Sequence, residues 1–151
     1  MGIEKDINQS VFRNEHQKAL INIIYTHNWM MEKMKAMFGK EDLTPQQFNI
    51  LRILRGALPE PLSTLQIRNR MLDKMSDTSR IVDRLVAKGL AKKTTCREDK
   101  RLVDVTITPK GKKILEKFDE MEEEMDSLMG HISSDEAKTL NGILDRMRNS
   151  Q

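Results

Sequence analysis

The sequence predicts a mainly helical fold that carries one small β-hairpin, with a helix-turn-helix unit near its centre. Three observations lead there. Apolar residues recur at i, i+3, i+4 spacing over most of the chain, and the spacing turns to alternation between Leu90 and Ile107. Cap residues open the periodic stretches, twice with proline directly behind, at Thr44-Pro45 and Thr108-Pro109. A chain of 151 residues matches one domain and leaves no room for a second, catalytic one.

The first periodic stretch runs from about Glu15 to Phe38, with Leu20, Ile23, Ile24, His27, Met30, Met31, Met34, Met37 and Phe38 at helical spacing and Gly39 as its stop. This is a long amphipathic helix. Thr44 caps a second helix whose apolar residues are Phe48, Ile50, Leu51, Ile53 and Leu54, ending near Gly56, and Pro59 and Pro61 mark a turn. Ser63 with Gln66 three residues on predicts a capping box for a short helix reaching about Met71 and buried through Leu65, Ile67 and Met71. The cluster Ser76-Asp77-Thr78-Ser79 opens a further helix, with Ser76 its expected N-cap and Asp77 an acid in the first turn. Ile81, Val82, Leu85 and Val86 face inward, and Gly89 ends this helix in the left-handed conformation. Two helices joined by a turn, the second carrying arginines, have the layout of a helix-turn-helix.

Leu90 to Arg97 then reads as a strand, Glu98-Asp99-Lys100 as a charged turn suited to a solvent-projecting tip, and Leu102 to Ile107 as a second strand with Val103, Val105 and Ile107 on one face. After Thr108-Pro109, the residues Ile114, Phe118, Met121, Met125 and Leu128 lie alternately four and three apart and predict a heptad-like seam along one helix. Gly130-His131-Ile132-Ser133 interrupts it. Ser134 then opens a last helix, with Ala137 three residues after the cap and a stripe of Ala137, Leu140, Leu144 and Met147. There is no internal repeat and no low-complexity linker.

Charge is distributed unevenly along this order of elements. From Pro61 to Lys112 there are 13 Lys or Arg against 6 Asp or Glu, a net of +7, while the other residues carry 13 against 17, a net of -4. Such asymmetry is expected where one face meets phosphate and another meets protein or solvent. A mean hydropathy of -0.59, short apolar runs and an opening Met1-Gly2-Ile3-Glu4-Lys5-Asp6 without signal-peptide character exclude a membrane partner and predict a cytoplasmic, nucleoid-associated protein. Cys96 stands alone, so neither an internal disulfide nor a cysteine zinc cage forms. His16, His27 and His131 are too scattered for a metal site, and no Gly-rich phosphate loop, paired catalytic carboxylates or Ser/His/Asp set is found. The expectation is a protein that is not an enzyme and that carries no cofactor and no metal.

The stretch Arg80-Ile81-Val82-Asp83-Arg84-Leu85-Val86-Ala87-Lys88-Gly89-Leu90-Ala91-Lys92-Lys93 resembles the end of the recognition helix and the first wing strand of MarR-type bacterial transcriptional regulators. Asp99-Lys100-Arg101, followed by Val105-Thr106-Ile107-Thr108-Pro109-Lys110-Gly111, is similar to that family's wing signature of Asp-x-Arg, an apolar strand and Thr-x-x-Gly. Lys93 stands where the family usually has Arg, and Ile107 where it most often has Leu. The resemblance implies a winged helix-turn-helix with N- and C-terminal dimerisation helices. Residues 1–151 would form a single MarR-type domain, with 44–111 the DNA-binding lobe and 1–43 and 112–151 the dimerisation helices. The implied function is that of a repressor binding a pseudo-palindromic operator in double-stranded DNA as a homodimer, with the recognition helix in the major groove and the wing in the minor groove.

Within that frame, Ser76, Asp77, Thr78, Ser79, Arg80 and Arg84 offer donors and acceptors at the start of the recognition helix. Arg97, Lys100 and Arg101 surround the wing tip, where an arginine can enter a narrow minor groove, and by resemblance Asp99 orients it. Family members bind small aromatic anions between the dimer helices and the DNA-binding lobe. The corresponding lining here is Tyr25, His27, Trp29 and Phe48, for an aromatic or anionic effector. The alternative is a winged-helix protein-interaction module that never touches DNA. The excess of +7 in the middle segment favours DNA.

Overall fold

The structure is a computed structural model and describes residues 2–95, 99 and 103–149. Local capping sets where its helices begin. A four-residue helix, α1 (Ile3–Asp6), too short to leave a periodic signal, opens the chain with Ile3 buried. Glu4 pairs with Lys18, and the hydrogen bond from that ammonium holds the Glu4 carboxyl below its ordinary value. The Asn14 side chain accepts the Gln17 N–H at 2.9 Å and starts α2 (Glu15–Gly39). Thr44 and Gln47 complete a capping box for α3 (Pro45–Ala57). Leu62–Ser63 forms β1, and Ser63 with Gln66 then boxes α4 (Thr64–Arg70).

The next helix, α5 (Thr78–Ala87), is capped by Asp77 rather than Ser76, the Asp77 carboxylate accepting the Arg80 N–H at 3.2 Å. Gly89 follows with φ of 71°, a backbone conformation that costs glycine nothing. β2 (Ala91–Thr95) and β3 (Val103–Ile107) pair antiparallel, and β1 joins on the far side of β3, Leu62 opposite Val105. The expected hairpin is therefore part of a three-stranded sheet. A two-residue strand next to a helix cap carries no alternation by which a sequence could reveal it.

The chain divides into two compact units, Met1–Leu115 and Glu116–Gln151. In the first, α3 is central, touching α2, α4, α5 and β3. Phe38, Ile50, Leu51, Ile67, Val82, Leu85 and Val105 are wholly buried, and Phe38 stacks on Phe48 with ring centroids 4.1 Å apart. Burial of each such side chain contributes about 1.5–3 kcal/mol before the entropy of ordering it is subtracted. Most of α2 lies outside this core. Over its 25 residues only Met37 and Phe38 are buried, and Leu20, Ile24, Tyr25 and Trp29 are exposed.

The start of α6 (Pro109–Asp119) explains the Thr-x-x-Gly spacing. Thr108 Oγ1 accepts the Gly111 N–H at 3.1 Å and donates to the Gly89 carbonyl at 2.7 Å. A Cβ on Gly111 would stand 2.4 Å from the Leu90 carbonyl oxygen and 2.8 Å from Ile107 Cγ1, so the helix start can lie this close only with glycine there.

In the second unit the seam expected to run on to Leu128 breaks after Asp119, and α7 (Glu122–Ser127) begins afresh with Met121 as its N-cap residue. Glu122, Glu123 and Glu124 give the physical reason. Three acids suit the positive end of a new helix and oppose the negative end of an old one. The last helix, α8 (Ser134–Arg148), is capped by Ser133 with Glu136, one residue before the expected Ser134, because only that register places a carboxylate three residues after the cap. The Ser133 N–H holds the Glu136 carboxyl below its ordinary value. Among the described residues no helix is long and apolar enough to cross a membrane.

Replacing Gly111 with Ala is expected to destabilise the protein by about 2–3 kcal/mol through overpacking against backbone. The measurement is the shift in urea midpoint at unchanged slope. A change below about 0.5 kcal/mol would show that the approach to Leu90 relaxes freely.

Candidate nucleic-acid interface

Helix α5 divides cleanly into two faces. Thr78, Val82 and Leu85 are buried, at i, i+4 and i+7, whereas Ser79, Arg80, Asp83, Arg84 and Ala87 are exposed. Arg80 and Arg84 therefore stand one turn apart on the outer face. Among the described residues neither guanidinium makes an ion pair. Asp83, the one acid on this face, is held by Lys93 of β2, Nζ to Oδ1 2.5 Å. That pairing removes the charge that would most directly repel phosphate, and it leaves the two arginines open.

Beside this face runs a groove of about 420 Å³ between α4 and the start of α5. Thr64, Leu65 and Arg68 line it from one side, and the residues from Ser76 to Ser79 from the other. Arg68 is exposed and, among the described residues, also without an ion pair. The first N–H groups of α5 and its dipole add positive potential at this end. The Ser76 hydroxyl lies toward the Asp73 carboxylate without full hydrogen-bond geometry and, with the Met75 N–H at 3.0 Å, holds that carboxyl below its ordinary value. Thr78 is only 4% exposed, and its hydroxyl has no hydrogen-bond partner among the described residues.

A sheet flanking two helices, with paired arginines on the outer face of the second, is the geometry implied by the resemblance above. The sequence profile of the MarR family matches residues 41–102. A MarR transcription factor from Planctomyces limnophilus is 32% identical, the match covering 89% of this chain and 98% of that one, with a TM-score of 0.69. The chain belongs to the MarR family. Its winged helix-turn-helix fold extends to more distant members. A mutant MarR from E. coli, complexed with operator DNA, is 24% identical over 91% of this chain and 99% of that one, with a TM-score of 0.78. BpsR of Bordetella bronchiseptica, whose DNA binding is regulated by 6-hydroxynicotinic acid, is 20% identical over 94% of this chain and 100% of that one, with a TM-score of 0.79.

In this MarR-family chain the expected recognition residues separate into three groups. Ser79, Arg80 and Arg84 present their side chains to solvent. Asp77 is exposed, but its carboxylate is engaged as the helix cap. Ser76 is half-buried and Thr78 buried, both turned inward. Of the wing residues, Asp99 is partly exposed, while Arg97, Lys100 and Arg101 lie outside the described residues, as does Cys96.

Two features were missed. Leu65, expected in the core, is 64% exposed, and with it Arg68 faces the groove. The signal was present in the spacing: Ile67 and Met71 lie four apart on the buried side, which turns Leu65 and Arg68, three apart, outward. Asp83 was the other, and nothing local announces a partner ten residues away.

The four expected effector-lining residues are not brought together. Tyr25 and Trp29 share an exposed face of α2, His27 is exposed two residues from each and so points away from them, and Phe48 is buried against Phe38. Among the described residues no group of three or more His, Cys, Asp or Glu is placed to hold a metal ion.

Substituting Thr78 with Val removes an unpartnered buried hydroxyl and keeps the shape, so stability should hold or rise by about 1 kcal/mol in thermal unfolding. A clear loss of stability would mean that the hydroxyl has a partner in solution.

Proposed function

We propose that this chain is a DNA-binding transcription regulator, acting as a repressor, that covers a pseudo-palindromic operator in double-stranded DNA as a homodimer. Helix α5 enters the major groove, and the wing, with Arg97, Lys100 and Arg101, follows the minor groove. The observation that carries this reading is the open face of α5, where Arg80 and Arg84 make no ion pair among the described residues and Asp83 is neutralised. Ser79 and one arginine are assigned to base edges. Arg68 and the other arginine are assigned to phosphates, since most protein–DNA hydrogen bonds go to the backbone. Asp77 caps the start of the helix, and Asp99 orients the wing arginine.

One such lobe binds weakly at physiological salt, and two on one duplex multiply their contacts. In the same reading residues 44–111 are the DNA-binding lobe, and 1–43 and 112–151 carry the dimer contacts. The exposed apolar residues of α2, Leu20, Ile24, Tyr25 and Trp29, and those of α8, Leu140, Ile143 and Met147, support this, because a second copy would remove them from water. A small aromatic or anionic effector that releases the DNA completes the proposal, with Tyr25 and Trp29 the aromatic side chains open to it. The regulation of BpsR by 6-hydroxynicotinic acid is the precedent among relatives.

The deciding experiment is a gel-shift titration on the DNA upstream of the protein's own gene at 50 and 200 mM salt, with a loss of affinity on the order of 10³-fold expected. No shift, or one indifferent to salt, would replace this reading with a protein-docking module. Arg84→Ala should weaken binding by about 1–3 kcal/mol with the dimer intact by sedimentation, and unchanged affinity would remove Arg84 from the interface. Asp83→Asn releases the Lys93 ammonium, and non-specific DNA is expected to bind severalfold tighter; no change would mean that the pair already lies away from the duplex.

A further inference from the structure

Lys88 closes α5 at the end opposite the groove and has no place in the DNA contacts just proposed. Its side chain instead reaches back across the lobe to the turn between α2 and α3. There the ammonium donates to the Asp42 carbonyl oxygen, lies 3.2 Å from the Asp42 carboxylate, and donates to Gln47 Oε1 at 3.3 Å. Gln47 is 4% exposed, and the same oxygen accepts the Thr44 N–H that completes the cap of α3. Asp42 has φ of 54°, a left-handed conformation that aspartate adopts more readily than most side chains.

The other side of the same turn of α5 is fastened as well. Lys110 Nζ donates to the Lys88 carbonyl at 3.0 Å, and Thr108 holds the Gly89 carbonyl. Two elements distant in sequence thus hold the last turn of α5, whereas its first turn has the Asp77 cap.

We infer that Lys88 is a positioning residue, one that sets the angle of the recognition helix against the end of α2 without touching DNA. This rests on the DNA-binding reading above. The geometry sets the size of the effect. Ten residues of helix place the first turn about 15 Å from the hooked end, so a tilt of about 4° there displaces the reading end by about 1 Å. Specific contacts tolerate about 0.5 Å, while loosely held phosphate contacts tolerate more. The Asp42 carboxylate is 96% exposed, so its ion pair is screened and worth little. The constraint comes from the two fixed acceptors, the Asp42 carbonyl and the buried Gln47 amide. Because both lie at the junction of α2 with α3, Lys88 adds a polar link from the end of α2 to the end of α5 beside the packing of α3 on both.

The test compares Lys88→Met, Lys88→Arg and Asp42→Asn in the full-length protein. The DNA probes are a duplex enriched by the wild type from a random-sequence pool and a scrambled duplex of equal composition. Lys88→Met is expected to lose about tenfold in affinity for the enriched duplex, with scrambled-duplex affinity and salt slope unchanged. Lys88→Arg should keep most of the affinity, and Asp42→Asn, which retains the carbonyl, should stay close to wild type. Hydrogen exchange supplies a readout independent of DNA, in which Lys88→Met should speed amides at 42–47 and 84–90 together.

A parallel loss on both duplexes with a salt slope smaller by about one would make Lys88 a phosphate contact and overturn the inference. Unchanged affinity for the enriched duplex, or unchanged exchange in both segments, would overturn it too. If the wild type enriches no duplex, the DNA-binding reading itself fails, and the exchange experiment still decides whether Lys88 couples the two segments.

Discussion

The close approach of α6 to the end of α5 is the constraint on which the rest of the lobe depends. The Leu90 N–H bonds to the Leu85 carbonyl at 2.9 Å and closes α5, while the Leu90 carbonyl accepts the Thr108 N–H at 3.1 Å. Gly111 packs against that same carbonyl oxygen. Recognition helix, sheet and α6 therefore meet at a single residue of backbone. Each is too short or too polar to be stable alone, since isolated helices of about ten residues are marginal in water. The junction makes them one unit, and it determines which side of α5 is left open.

That open side costs the fold little. An exposed ion pair contributes about 0–1 kcal/mol, so leaving Arg68, Arg80 and Arg84 without ion pairs among the described residues sacrifices almost no stability. Burying them would have been far more costly. The paired Lys93 and Asp83 show how local the arrangement is. The excess of +7 between Pro61 and Lys112 records the total charge of the segment, and the bridge between α5 and β2 takes one acid and one base out of that sum.

Much of this was legible wherever a feature is local. The cap at Thr44, the capping box at Ser63 with Gln66, and the left-handed Gly89 follow from side chains acting within one turn of their own backbone. Features set by tertiary partners were not legible. The seven residues of α4 span two turns, so Leu65 is separated from the buried pair Ile67 and Met71 only by their four-residue spacing, and it came out on the wrong side. Ser76 yielded the cap to Asp77, and its own N–H closes the preceding turn on the Asp73 carbonyl at 3.3 Å. Phe48 looks like a ligand-facing aromatic in isolation. Only the ring of Phe38 at 4.1 Å identifies it as core.

The exposed guanidinium groups have one further consequence, for handling the protein. Fixed positive charges beside a helix start collect small multivalent anions from solution whenever no duplex is present. Sulfate or phosphate in a storage buffer competes with DNA phosphate for exposed guanidinium groups such as those of Arg68, Arg80 and Arg84. The choice of counter-anion thereby becomes a variable of every binding measurement made on this chain.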